Sequence, residues 1–259
     1  MSARLRIAAD IGNSSIKLGH ESQSVTSNDP FRITRVSLES DTWLECIEDF
    51  LDAEHLRGER LDWMIASVNS PATNHLKSWL SSRRVGDSWR YVQHSDVGIQ
   101  IDVEFPERVG IDRLLAARGA HCRANSRSAI VIDAGTAITI DLLDQTGCFH
   151  GGAIMPGIGL QFHSLHQETD RLPRLPIERF AEDDAYPGKN TESAIASGVV
   201  NSVVGAIERV VTSVASSTAS PTIFLTGGDA GLISTKLSFS HEVIEELPLR
   251  TLYAFDSDE

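Results

Sequence analysis

Short apolar runs that end in Asp, Gly or Pro alternate along this chain with stretches whose apolar residues recur every three or four positions. This is the pattern of strands alternating with amphipathic helices. Arg4 to Ala9 reads as a strand ending at Asp10, Ile11 to Ser15 as a turn, and Ile16-Lys17-Leu18 as the strand that resumes. Residues 20–35 are polar and mixed, a loop with a further strand. Trp43, Ile47, Phe50 and Leu51 keep helical spacing over 42–57, and Trp63 to Val68 reads as a buried strand. Asn69-Ser70-Pro71 reads as a turn, Leu76, Trp79 and Leu80 mark a short helix begun at Pro71 or Thr73, and Tyr91-Val92 is a short strand. The predicted order β–β–β–α–β–α–β suits a mixed sheet covered by helices. After Phe105-Pro106, the spacing of Ile111, Leu115, Gly119 and Cys122 predicts another helix.

The pattern then starts again. Ala129 to Ile132 is a strand running to Asp133, Ala134-Gly135-Thr136 a tight turn, and Ile138, Ile140 and Leu142 an alternating strand. Gly151 to Gly157 punctuates the next strand, and residues 159–170 read as helical. Residues 171–190 form a long Pro-rich and charged loop, a length that often signals function. Thr191 is placed to cap a helix with Glu192 in its first turn and a stripe of Ile195, Val199, Val203, Ile207, Val210 and Val214, which is either core or a subunit interface. A Ser-rich linker over 212–220 leads to a strand from Pro221 to Leu225, which ends in a glycine turn, Thr226 to Asp229, suited to a nucleotide's sugar or base. The tail after Tyr253 is acidic and expected to fray.

Asp10-x-Gly12 and Asp133-x-Gly135 thus open two like hairpins about half the chain apart. Each is either a plain Asp-Gly hairpin turn or something more specific. Backbone N–H groups and a hydroxyl beside a strand-end carboxylate suit a metal phosphate: the amides face phosphate oxygens, the carboxylate faces the cation. The repetition predicts an α/β chain of two duplicated domains, residues 1–126 and 127–259, with a nucleotide in a cleft between two mixed sheets. That arrangement resembles the superfamily of acetate and sugar kinases, heat-shock ATPases and actin, the duplicated actin-like (ribonuclease H-like) two-domain kinase fold.

Composition narrows the function. At 259 residues the chain can bury two ordinary cores, and 41% hydrophobic with 23% charged residues is globular. A net charge of −13 opposes nucleic-acid or anionic-membrane binding, which needs clustered Lys and Arg. No uninterrupted apolar run has the length of a membrane span, and Asp10 interrupts the N-terminal apolar segment that a signal peptide requires. Cys46, Cys122 and Cys148 are odd in number and dispersed, which predicts reduced thiols and a cytoplasmic protein. His163 and His166 stand three apart on a predicted helix with no accompanying ligand motif, so a metal site there is not expected.

Asp10-Ile11-Gly12-Asn13-Ser14-Ser15-Ile16-Lys17, Gly110-Ile111-Asp112-Arg113, the Asp133–Asp141 segment DAGTAITID, GGAIMPG at 151–157, NTESAIASG at 190–198 and TGG at 226–228 occur in this order. Together they resemble the type III pantothenate kinases, also grouped as the CoaX or Bvg accessory factor family. The resemblance implies ATP-dependent phosphorylation of pantothenate to 4'-phosphopantothenate, the first step of coenzyme A biosynthesis. It also implies ATP with Mg²⁺, a monovalent cation (K⁺ or NH₄⁺) and a homodimer. Residue by residue, Asp10 to Lys17 resembles the ATP phosphate segment and Thr136 an ATP contact. Gly110 to Arg113 and Thr191 resemble pantothenate contacts, Asp112 the general base, and Asp133 the monovalent-cation ligand. Ser14 stands where the family usually has Thr, keeping the hydroxyl, and Val103 and Phe105 stand where relatives often place Tyr and Asn.

Each of these residues also has a structural reading. Asp112 and Thr191 can cap their helices, Arg113 can be an ion-pair residue, and Lys17 can be solvated. Two other functions fit the same features: a different small-molecule kinase of the superfamily, such as a sugar kinase, or a non-catalytic accessory protein that retains the fold.

Overall fold

The computed structural model describes residues 5–22, 29–40, 42–182, 186–215 and 220–255. Parts of the expected loop at 20–35, the long loop, the Ser-rich linker and the acidic tail lie outside the described residues. The chain forms two compact units. One comprises Met1–Gly98, Glu107–Leu115 and Pro248–Glu259; the other comprises Ile99–Pro106 and Ala116–Leu247.

The first unit runs β1 (Leu5–Ile11), β2 (Ser15–Glu21), β3 (Phe31–Ser37), α1 (Trp43–Ala53), β4 (Leu61–Ser67), α2 (Ser70–Arg83) and β5 (Ser88–Tyr91). This is the order the hydrophobic pattern predicts. Its five strands lie in the order β3-β2-β1-β4-β5, with β1, β2 and β3 antiparallel and β4 and β5 added in parallel to β1. A hairpin needs only a tight turn, whereas each parallel pair needs a crossover, here α1 and α2. The side chains of Ile7, Ile11, Ile16, Trp63, Leu76 and Trp79 are buried in its core. Trp63 and Trp79 meet edge to face at 6.0 Å.

Two segments differ from the expected outline. Asn69 does not belong to a turn that precedes the helix. It is the N-cap of α2, accepting the Ala72 N–H at 3.1 Å, with Pro71 in the first turn, where no amide hydrogen bond is lost. At the far end of the helix, Asp87 ties the unit together. It accepts from the Trp63 indole at 2.8 Å, the Leu61 amide at 3.1 Å and the Arg84 guanidinium at 2.8 Å. The Arg84 and Asp87 side chains are only 10% and 3% exposed. Asp87→Ala leaves a buried guanidinium and an indole donor without this acceptor, so a loss of about 3–5 kcal/mol is expected by urea denaturation. A change under 1 kcal/mol would show that solvent replaces the carboxylate.

The helix α3 (Ile111–Arg123) begins in the first unit and ends in the second. The second unit continues with β6 (Ala129–Ala134), β7 (Ala137–Leu143), β8 (Phe149–Pro156), α4 (Ile158–Gln167), α5 (Arg179–Glu182), α6 (Thr191–Ala215), β9 (Thr222–Thr226), α7 (Ala230–Ser234) and β10 (Glu242–Val243). Its sheet order, β10-β9-β6-β7-β8, repeats the first: an antiparallel β6-β7-β8 meander with β9 and β10 in parallel beside β6. Asp10 and Asp133 are each the next-to-last residue of the strand that opens its sheet, one residue deeper than expected at a strand end.

The short helices α5 and α7, the two-residue β10 and the C-terminal α8 (Leu247–Tyr253) have no counterpart in the expected outline. The residues of α8 beyond Leu247 belong to the first unit, where Leu249 packs on Gly19, Arg250 pairs with Asp29 at 2.6 Å, and Arg250 lies over the Phe31 ring. That pair and the Phe31 amide hold the Asp29 carboxyl below its ordinary pKa.

The helix α6 settles between the two readings of its stripe. Its Thr191–Val214 segment is long and apolar enough to cross a membrane by length and composition, with mean hydropathy 1.4 and 39% of the window buried. Of the expected stripe, Ile195, Val199, Val203 and Ile207 are buried and Val210 and Val214 partly buried, in one cluster with Val211 and with Ile130, Ile138 and Leu225 of the second sheet. This is the placement of an amphipathic core helix.

Candidate active site

The turn after β1 is closed by the Gly12 amide donating to the Ser15 carbonyl at 2.9 Å, while Asn13 and Ser14 stay exposed. Asp10 and Lys17 are register partners across β1 and β2. Lys17 Nζ lies 4.0 Å from Asp10 Oδ2, and the side chains are 17% and 8% exposed. Lys17 is therefore held in the sheet beside the carboxylate and is not a solvated strand residue. Asn69, read from sequence as a turn residue, does more than cap α2: its amide group also donates to the Asn13 carbonyl at 3.4 Å. It lines both a cavity of about 400 Å³ with Asn13, Ser14, Trp43 and His75, and one of about 320 Å³ with Thr73, Tyr91, His94 and Ile111. The signal for it was present in the sequence, as an Asn two residues before a Pro that opens an apolar helix.

Asp112 sits half-buried in the first turn of α3, where the helix dipole favours a carboxylate. Its Oδ1 accepts the Arg113 amide at 2.9 Å. Among the described residues Oδ2 of Asp112 has no hydrogen-bond partner. A Cβ on Gly110 would overlap Asp112 Oδ1, so the glycine of this motif is what lets the carboxylate fold back over the helix start. Upstream, the Val109 carbonyl is fixed by the His94 ring at 2.6 Å. The helix-start contact therefore uses one oxygen of Asp112 only.

In the second unit, three glycine motifs converge on the turn after Asp133. The Gly135 amide donates to Ala137 at 3.1 Å, the Gly157 amide to Thr136 at 2.9 Å and the Asp229 amide to Ala134 at 2.9 Å. A Cβ on Gly157 would strike the Gly135 carbonyl. Gly227 has φ +94°, and a Cβ there would strike both the Ala134 carbonyl and Asp133 Oδ1. Asp133 is half-buried and Thr136 exposed. Gly227→Ala is thus strained twice, by its left-handed backbone and by overlap. A stability loss of about 2 kcal/mol or more is expected in thermal unfolding; an unchanged Tm would mean the turn relaxes freely.

Thr191 does not cap α6. It is the exposed first helical residue, and the cap is Asn190, whose Oδ1 accepts the Ser193 amide at 2.8 Å while Ser193 Oγ accepts the Asn190 amide at 3.2 Å. The Thr191 hydroxyl is thereby left out of the capping pair. His166 is engaged structurally, through Nδ1 to the Leu172 carbonyl at 2.8 Å. His163 lines a cavity of about 510 Å³ with Arg174, Leu175 and Ile177. Phe105 is exposed, and Val103 lies against Gly151.

Comparison with known proteins agrees with this repeated arrangement. Relatives named type III pantothenate kinase include those of Rhodopirellula baltica, 35% identical with 93% of this chain and 94% of the relative covered, and Thermosipho melanesiensis, 34% identical with 97% and 98% covered. Among solved structures, a Baf family protein from Campylobacter jejuni aligns with a TM-score of 0.60 at 20% identity, covering 96% of each chain. A Sinorhizobium meliloti structure assigned as a 2-dehydro-3-deoxygalactonokinase aligns at 0.54 and 14% identity, covering 96% of this chain and 94% of that one. These two likenesses show the shared fold. The family profile for type III pantothenate kinase matches residues 6–213, and the chain belongs to that family.

Proposed function

We propose that Asp112 is the general base with which this chain phosphorylates pantothenate. Phosphoryl transfer from ATP to pantothenate, in coenzyme A biosynthesis, is the reaction of the family to which the chain belongs. Phosphoryl transfer asks a protein mainly for positioning and charge stabilisation, plus a carboxylate that accepts the proton of the attacking hydroxyl. The observation that carries the assignment is the split use of the Asp112 carboxylate: Oδ1 is held by the Arg113 amide, which fixes the group's orientation, and Oδ2 is left to take a proton. Arg113, Gly110, Ile111 and Thr191 orient the acceptor in this reading. The exposed Thr191 hydroxyl, relieved of capping by Asn190, suits that task.

The segment Asp10–Lys17 and the Thr136 hydroxyl are assigned to ATP. Mg²⁺ bound with ATP supplies charge neutralisation at the phosphates, and Lys17, held beside Asp10, adds a fixed positive charge. Asp133 is assigned to a monovalent cation, K⁺ or NH₄⁺. The half-buried carboxylate stands beside a turn built of backbone carbonyls, an oxygen-only donor set that suits a large, weakly hydrated ion. The two halves at 1–126 and 127–259 are read as the duplicated domains, and the cytoplasm as the site of action.

A homodimer completes the reading. The α6 stripe is used up within its own unit's core, so the apolar surface for a partner is sought on β8 and α4, where Ile154 is 63%, Leu160 39% and Leu165 36% exposed. Sedimentation is expected to give a dimer at assay concentration, and Leu160→Glu with Leu165→Glu to weaken it. A fully active monomer would overturn this reading.

The test of the function is ADP release with pantothenate and with a small panel of sugars. Turnover with pantothenate alone is expected. Turnover with a sugar but not pantothenate would move the chain to another substrate, and failure to bind either ATP or pantothenate by calorimetry would make it a binding module.

A further inference from the structure

The β7–β8 hairpin carries a cluster that the kinase chemistry does not use. Asp144, Cys148 and His150 place a carboxylate oxygen, a thiol sulfur and an imidazole nitrogen within 4.8 Å of one another. His150 Nε2 lies 3.0 Å from Asp144 Oδ2. The other ring nitrogen, Nδ1, lies 3.2 Å from Asp102 Oδ2, on the segment that pairs with the start of β8 through Ile101 and Phe149. Cys148 is buried, whereas Asp144 and His150 are partly open, with side chains 38% and 33% exposed.

From this geometry we infer that Asp144, Cys148 and His150 form a binding site for a zinc-class divalent transition-metal ion, with Asp102 orienting His150 from behind. Several features of the cluster carry the assignment. The donor set mixes sulfur, nitrogen and oxygen, which suits borderline-soft Zn²⁺ and not Mg²⁺ or Ca²⁺. A tetrahedral ion about 2.0–2.3 Å from each ligand needs ligand atoms roughly 3.5 Å apart, and the cluster's spacings, from 3.0 Å between His150 and Asp144 to no more than 4.8 Å, bracket that value. A ligating histidine characteristically gives its second N–H to a carboxylate, and Asp102 occupies that place.

The hairpin is pre-shaped independently of any ion. Asp144 Oδ1 accepts from Thr146 and from the Cys148 amide at 3.1 Å, leaving Oδ2 as the oxygen on the His150 side. Gly147, at φ +83°, packs its Cα against the His121 ring, where a side chain would collide. On binding, the ion displaces the Cys148 thiol proton, which passes to solvent. The open fourth position goes to water.

The site lies at the opposite end of β7 and β8 from the Thr136 turn, since Leu143 pairs with Phe149 and Ala137 with Pro156. Six residues of strand put roughly 20 Å between them. Metal binding and turnover are therefore expected to be separable.

The experiment uses untagged, chelator-treated full-length chain carrying Cys46→Ser and Cys122→Ser, because both of those thiols are exposed and would compete for added metal. Zn²⁺ is titrated by calorimetry, and Co²⁺ serves as an optical probe of thiolate ligation. One ion per chain is expected, with a cobalt–thiolate absorption band. Cys148→Ser is expected to abolish the band, His150→Ala to weaken Zn²⁺ binding more than about 100-fold, and Asp102→Asn to weaken it about 10–100-fold. Circular dichroism checks that each variant is folded; the exposed positions 102 and 150 keep the test alive if Cys148→Ser is not. Kinase turnover with Mg-ATP is expected to be unchanged in all three. Absence of Zn²⁺ binding in the parent, or binding and the cobalt band surviving both Cys148→Ser and His150→Ala, overturns the site.

Discussion

Asp112→Asn is expected to lower kcat by about a hundred-fold or more while leaving the protein folded. The amide keeps the size of the side chain, and its oxygen still accepts the Arg113 N–H that Oδ1 accepts now, so the start of α3 is preserved. What is lost is the basicity of the second oxygen. Because the acceptor contacts proposed for Gly110, Ile111 and Arg113 survive, KM for pantothenate should change little, and the loss should fall on kcat. Asp112→Ala separates the two roles: it removes the helix-start hydrogen bond as well and should lower Tm by a few degrees, where Asp112→Asn does not. Near-normal kcat in a folded Asp112→Asn would reduce Asp112 to a helix-start residue and end its assignment as base.

In a sodium buffer containing Mg²⁺, adding K⁺ or NH₄⁺ is expected to raise kcat/KM for ATP by about five-fold or more, and Asp133→Ala is expected to remove the response. The expectation follows from charge. The chain already carries −13, ATP adds several negative charges, and Lys17 is the fixed cation placed beside the first Asp-x-Gly turn. At the second turn Gly227 packs closely against the half-buried Asp133, where a side chain would strike Asp133 Oδ1. The Asp133 carboxylate and the backbone carbonyls of its turn make an oxygen-only donor set, which suits a large, weakly hydrated monovalent ion. Full activity in sodium alone, unchanged by K⁺ in rate or in KM for ATP, would remove the cation from Asp133. Because Gly227→Ala disturbs the same turn through strain, its unfolding must be measured beside Asp133→Ala so that a stability loss is not read as a lost ion.

Strand and helix identities were legible from residue order alone, because the alternation of Ile138, Ile140 and Leu142 or the three-to-four spacing of Ile195, Val199 and Val203 reports which face is buried. The same local signals exposed the duplication, since each Asp-x-Gly turn follows an apolar run and precedes another. The cap of α6, expected at Thr191, falls on Asn190. Asn190 and Thr191 both carry the right chemistry, and the backbone path of the preceding loop, joined to the reciprocal bond from Ser193, decided for Asn190. The sequence by itself thus determined the two repeated sheet-forming segments, the family motifs and the residue types of the site, because all of these are set by nearest neighbours and composition. Only the tertiary structure decided the parallel pairing of β4 with β1 and of β9 with β6, the return of α8 to the first unit, and the meeting of Gly227 with Asp133. It likewise brought Asp102 to His150. Each of these joins residues distant in the chain, and such contacts depend on which buried faces close together, a property of the whole packed core and of no single stretch within it.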